Sequence, residues 1–138
     1  MSTVTMDKKE ELVMKLVHYF VTKCDYTPIV VNGVKNEIWL ENIEGPYRIV
    51  RINSNYIHNK EQYNFDLYKT KNIVDQIKKK TLSWQMNTLN IFLDFNKEIS
   101  VEEEKNIASV IISNPNDIKK NQELITAFPT IKDNMLDD

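Results

Sequence analysis

The chain has 138 residues, of which 41% are hydrophobic and 28% charged, and a formal net charge of −2. That length suits one domain burying a core without disulfides or metals, and the balanced charge gives no global basic field for nucleic acid or anionic lipid. Gly33 and Gly45 are the only glycines and Cys24 the only cysteine, which excludes a Gly-rich phosphate loop, an internal disulfide and a cysteine zinc site.

The N-terminal stretch MSTVTMDKKEE has no apolar core of the signal-peptide kind. No apolar run approaches the ~18 residues that span a bilayer. With a free thiol, this predicts a soluble, cytoplasmic chain that does not itself insert into a membrane. Residues 7–24 read as an amphipathic helix, because Leu12, Leu16 and Phe20, and likewise Val13, Val17 and Val21, recur at every fourth position. Asp7, Glu10 and Glu11 suit its first turns, and Thr27 before Pro28 stops it near Asp25. Three β runs follow at 28–32, 37–41 and 47–53, separated by the turns NGVKN and NIEGP, a pattern that predicts an antiparallel meander.

Residues 54–62 are polar and predict a loop or a helical turn. Leu67, Val74, Ile77 and Trp84 predict a helix over 63–85, with Lys78, Lys79 and Lys80 at the end where the dipole favours cations. TLNIFLDF, 88–95, is apolar enough for an inner strand. Ser100 and Glu103 have capping-box spacing, which predicts a helix from Val101; residues 108–113 are read as its continuation in preference to a strand. NPND at 114–117 reads as a turn and 118–128 as a short helix carrying Ile118, Leu124, Ile125 and Phe128. Residues 1–6 and 133–138 are expected to fray, leaving an ordered core over 7–132 of a single domain. The expected architecture is α+β in the order α-β-β-β-α-β-α-α. It is a small mixed sheet, an antiparallel meander plus one crossover strand parallel to the first, packed with helices.

That order is also the core order of restriction-endonuclease-like nucleases. Their sites need an acid ending the second strand, then an acid and a lysine on the third, to hold Mg²⁺ and an attacking water. Glu41 fits the first position, but Tyr47–Ile52 carries Arg48 and Arg51 and no acid, so the core order comes without its catalytic acids. His18 and His58 lack ligand spacing, and His18 reads as a boundary residue of the first helix. Glu102, Glu103 and Glu104 suit a helix's first turn, although with Asp94 and Glu98 they leave weak divalent-cation binding open; no other cofactor or metal is indicated. Cys24 has no histidine nearby in sequence and no serine sits in a GxSxG elbow. Lys78–Lys80, Arg48, Arg51 and Trp39 are the groups nucleic acid would use, and the overall acidity argues against that partner. No residue is assigned a catalytic role.

Closing the hairpin at Asn42–Pro46 pairs Glu41 with Tyr47, Trp39 with Ile49 and Glu37 with Arg51. Alternation then sends Ile38, Leu40, Val50 and Ile52 to the core and puts Glu37, Trp39, Glu41, Tyr47, Ile49 and Arg51 on the other face. That face is expected to lie under the C-terminal segment or, if left open, to meet a partner, because Trp, Tyr and Arg are enriched at interface hot spots.

DYTPIVVNGVKNEIWLEN, YRIVRI, LNIFLDFNKEISVEE and AFPTIKD occur in that order. With these stretches the chain resembles, over Leu12 to Lys132, the soluble N-terminal domain that precedes the membrane core in Gram-positive rhomboid-family intramembrane serine proteases. In that family a helix leads to a strand, an EIWLE-like strand, a VRI or VRL strand, a long charged helix, an LNVFF-like strand and an FP pair. The resemblance implies a full-length protein that cleaves membrane proteins within or near their transmembrane segments, using a Ser–His dyad held in membrane helices. This chain has no transmembrane helix and no GxSG serine, so no catalytic residue carries over. The resemblance implies a non-catalytic accessory or regulatory domain on the cytoplasmic side of the cell membrane. Its partners would be the membrane core of the same protein and a protein substrate or regulator. The alternatives are a degenerate metal-dependent nuclease-like domain and a sensor of divalent cations or small ligands.

Overall fold

The computed structural model describes residues 5–81 and 86–136. Its elements are α1 (Met6–Lys23), β1 (Thr27–Ile29), β2 (Glu37–Glu41), β3 (Ile49–Ile57), α2 (Lys60–Thr81), β4 (Thr88–Phe95), β5 (Ile107–Ile111), a 3₁₀ turn (Pro115–Lys120), α3 (Gln122–Ala127) and α4 (Ile131–Leu136). The five strands form one mixed sheet in the order β1-β2-β3-β4-β5. The first three make the antiparallel meander, and β3, β4 and β5 run parallel. The fold is α+β, as the residue pattern predicts. No helix among the described residues is long and apolar enough to cross a membrane.

The helices α1, α2 and α3 each start where a short polar side chain takes an otherwise unpaired N–H. Thr5 accepts from Lys8 N for α1, Asn59 from Gln62 N for α2, and Asn121 from Leu124 N for α3. One face of the sheet lies under α1 and the C-terminal helices, where Leu16, Phe20, Leu40, Val50, Ile52, Leu89 and Ile91 meet Leu124, Phe128 and Ile131. The other face lies under α2. Trp39, Ile49 and Val74 pack together toward one end, and Tyr63, Phe92 and Phe95 toward the other. Helices on both faces bury all eight residues of β4, which accounts for its near-continuous apolar run.

Several expectations are corrected. Residues 54–57 belong to β3, not a loop: after an irregularity beyond Asn53, Tyr56 and Ile57 pair with Asp94 and Phe95. No helix starts at Val101. Residues 101–103 are irregular, Glu104 bridges to Ile107, and residues 107–111 are β5, paired along β4. The physical reason is backbone accounting, since the second row of hydrogen-bonding groups on a buried strand needs a partner. NPND opens the 3₁₀ turn, with Asn114 and Asp117 capping each other's backbone, and the helix expected over 118–128 divides at Asn121. Ile131–Leu136 form α4: Ile131 and Met135, one helical turn apart, are buried in the core, and Tyr19 Oη lies 2.8 Å from Thr130 Oγ1. α1 begins at Met6. The expected helical contribution of Trp84 lies outside the described residues.

The hairpin register is also shifted by two residues. Asn42 N donates to Arg48 O, and Glu41 pairs with Ile49, Trp39 with Arg51 and Glu37 with Asn53. An even shift leaves the side chains of the paired residues 37–41 and 49–53 on their predicted faces, so Ile38, Leu40, Val50 and Ile52 still point into the core under α1.

Candidate functional site

The most concentrated group of charges lies between the sheet and α2. Arg51 projects from the first half of β3 and is 0% exposed. Its guanidinium makes a two-pronged contact with Asp66 of α2, Nη2 to Oδ1 at 2.6 Å and Nη1 to Oδ2 at 2.9 Å. Its Nε donates to Glu37 Oε1 of β2 at 2.9 Å, and Nη1 reaches Asn90 Oδ1 of β4 at 3.3 Å. The planar fork of arginine suits this bidentate geometry, which a lysine would not reproduce. Trp39 and Phe92 flank the cation, with ring centres 5.6 and 6.0 Å from its central carbon.

Glu37 is satisfied on both oxygens. Oε1 also accepts Trp39 Nε1 at 3.2 Å, and Oε2 lies 2.5 Å from Lys69 Nζ of α2. Asn53 Nδ2 adds a 3.4 Å contact to Asp66. Arg51 and Lys69 thus balance Glu37 and Asp66. Burial alone would raise the Glu37 carboxyl, but Arg51 and Lys69 outweigh it and hold the group below its ordinary value. Burial would likewise lower Arg51, and Asp66 and Glu37 push it up instead. Both acids are already engaged by cations, so this neutral centre offers neither a free base nor a vacant pair of carboxylate oxygens for a metal.

The residues expected on one partner-facing surface separate. Trp39, Ile49 and Arg51 are buried, covered by α2 rather than by the C-terminal segment, and Glu37 is consumed in the centre just described. Glu41 is half-buried and paired with Arg48 at 3.0 Å. Tyr47 lies on the opposite side, packed on Phe128 with its hydroxyl donating to Glu123 at 3.1 Å; it precedes β3, so strand alternation does not govern it.

The acids that left cation binding open are also dispersed. Asp94 is fully buried, 2.6 Å from Lys9 Nζ of α1. Glu104 lies 2.5 Å from Lys71, Glu102 lies 3.8 Å from Lys60, and Glu103 is exposed. Among the described residues no three His, Cys, Asp or Glu side chains come together as a metal set. His18 is exposed on α1, His58 stacks on Tyr56, and burial pushes the Cys24 thiol up. Of the basic and stacking groups named for nucleic acid, Arg51 and Trp39 are enclosed.

Sequence reasoning missed Asp66, Lys69 and Asn90. A signal for Asp66 was present, since it shares a helical stripe with Tyr63, Thr70 and Val74, all buried, and an acid on an apolar stripe needs a buried partner. No family model matches the sequence, and no curated protein matches it.

Proposed function

We propose that the chain is a non-catalytic accessory domain of a rhomboid-type intramembrane serine protease, held on the cytoplasmic side of the cell membrane. It acts by binding, with the membrane core of the same protein and a protein substrate or regulator as its partners. The observation that carries this reading is the ordered series of sequence stretches EIWLE, YRIVRI, LNIFLDF and AFPTIKD. These stretches supply β2, the entry and first half of β3, β4, and the junction of α3 with α4. They are consecutive parts of one sheet and its cover rather than scattered loops. A binding role is further supported by the pairing of Glu37, Asp66, Glu41 and Asp94 with cations inside the domain, which leaves those acids unavailable for chemistry.

The reading frame beyond Asp138 tests the proposal. The expected result is several apolar spans of ~20 residues, one of them with a GxSG serine. A frame that stops at Asp138 or continues only into polar sequence overturns it. Purified chain supplied with Mg²⁺ or Mn²⁺ should leave DNA and RNA intact, whereas cleavage would restore the nuclease-like alternative. Mn²⁺ titration that moved the amides of Asp94 and Glu102–Glu104 would favour the cation sensor.

A further inference from the structure

We propose that the outer edge of β5 is a docking strip for an extended, basic segment of a partner polypeptide, which adds to the sheet as a further strand. This names a partner class for the binding role above and rests on that role, not on the identity of the parent protein. The sheet order leaves two edges, β1 and β5. β1 is three residues long with Pro28 at its centre, and a short, proline-bearing strand is a poor template for pairing. β5, IASVI, is five residues long without charge or proline, so it lacks those guards.

The ladder fixes which groups face outward. Thr88 N donates to Asn106 O at one end and Ile112 N to Phe92 O at the other. In a parallel pair, alternate residues bond to the same neighbour. Residues 106, 108, 110 and 112 therefore turn their backbone toward β4, and Ile107, Ser109 and Ile111 turn theirs away. Glu104 O takes the N–H of Ile107. Among the described residues nothing bonds to the outward N–H and C=O of Ser109 and Ile111.

The charge beside this edge selects the occupant. A cavity of about 690 Å³ adjoins the start of β5, reaching Ser109 on one side and Glu102, Glu103, Glu104 and Glu123 on others, with Lys105 the one cation among the described residues of its wall. Lys71 compensates Glu104, Glu102 is 80% exposed with Lys60 3.8 Å away, and Glu123 meets the neutral Tyr47 hydroxyl. The cavity thus presents net negative charge to whatever pairs with β5. A second copy fits poorly. Paired antiparallel about Ser109, it would set its neutral Ser113 and Asn114 against the acidic end. A segment alternating lysine or arginine with β-branched residues supplies both backbone pairing and the missing cations.

The test titrates the chain with a synthetic peptide alternating lysine and valine, and with its glutamate counterpart, followed by amide shifts. Saturable binding of the lysine peptide, with the largest shifts at Ser109 and Ile111 and weakening by salt, is expected. Ser109→Pro removes an outward N–H while leaving the donors to β4 in place, and should weaken binding roughly tenfold. Glu103→Lys with Glu123→Lys should weaken it as well. If Ser109→Pro fails to fold, N-methylation of alternate peptide residues applies the same block from the other side. Equal binding of both peptides, shifts confined elsewhere, no loss with the N-methylated peptide, or self-association of the chain through β5 would each overturn the proposal. None of these outcomes bears on the reading frame beyond Asp138, which decides the accessory-domain reading separately.

Discussion

Trp39 and Arg51 face each other across β2 and β3, with the guanidinium carbon 5.6 Å from the centre of the tryptophan ring. The ring shields one side of a cation whose other sides meet Asp66 and Glu37. The hairpin is therefore fastened to α2 by charge as well as by apolar contact. Arg51→Met leaves two carboxylates with Lys69 alone, and a loss of about 3–5 kcal/mol is expected, as for one partner of a buried pair. Urea denaturation would read it as a lower midpoint with an unchanged slope. Adding Glu37→Leu and Asp66→Leu to that variant should recover much of the loss. A cost under about 1 kcal/mol would mean that the centre behaves like a surface pair.

Acid should act on the same centre. Glu37 titrates below its ordinary value of 4.5 in the folded chain. A folded value below the unfolded one gives stability that is complete above pH 4.5 and is lost as pH falls through the folded value. Glu37→Gln is expected to be less stable at neutral pH and to decline less steeply in acid. Parallel stability curves for the two proteins would locate the acid sensitivity elsewhere.

Gly45 tolerates no side chain for a reason specific to its neighbours. A Cβ there would stand 2.5 Å from Tyr26 Oη and 3.0 Å from Tyr47 O. Tyr26 is buried and its hydroxyl donates to that same Tyr47 carbonyl, so the ring cannot swing aside. Gly45→Ala should cost about 1–3 kcal/mol, the usual range for overpacking. The same exchange at Tyr26→Phe, which frees the ring tip, should cost Gly45→Ala less in a double-mutant cycle.

The alkaline limit should follow the tyrosines. Burial, reinforced by Glu123, pushes Tyr47 up to about 12, and burial also raises Tyr19, Tyr26 and Tyr63. A folded value above the ordinary 10.0 means that stability is complete below pH 10 and falls as pH rises toward the folded value. In a spectrophotometric titration, ionisation of these buried rings should coincide with unfolding. Reversible ionisation of all six tyrosines near pH 10 in folded protein would contradict this burial.

Apolar periodicity made α1, α2 and β2 legible, and the near-continuous apolar run of TLNIFLDF made β4 legible as a strand buried on both faces. IASVI was not legible, since a short apolar run looks alike in a strand and in a buried helix. Ser100 and Glu103 then pointed the wrong way, a capping pair in sequence that caps nothing. The hairpin face could be read without its register because an error of two residues preserves alternation. The ionic centre was only half visible. Glu37 and Arg51 stand close in a predicted hairpin, but Asp66 and Asn90 come to them from separate elements, and no local pattern announces which helix will cover which face.

The position of β4 has a consequence for how the molecule assembles. It is the most buried strand, yet neither neighbour reaches it through a tight turn: α2 separates it from β3, and residues 96–106 separate it from β5. The meander can form from contacts close in sequence, whereas the middle of the sheet must wait until longer loops close. The inside of the finished protein is therefore completed late. Until then TLNIFLDF stays unpaired on both sides, which makes this segment, rather than either edge of the native sheet, the point where a nascent or refolding chain is most exposed to aggregation.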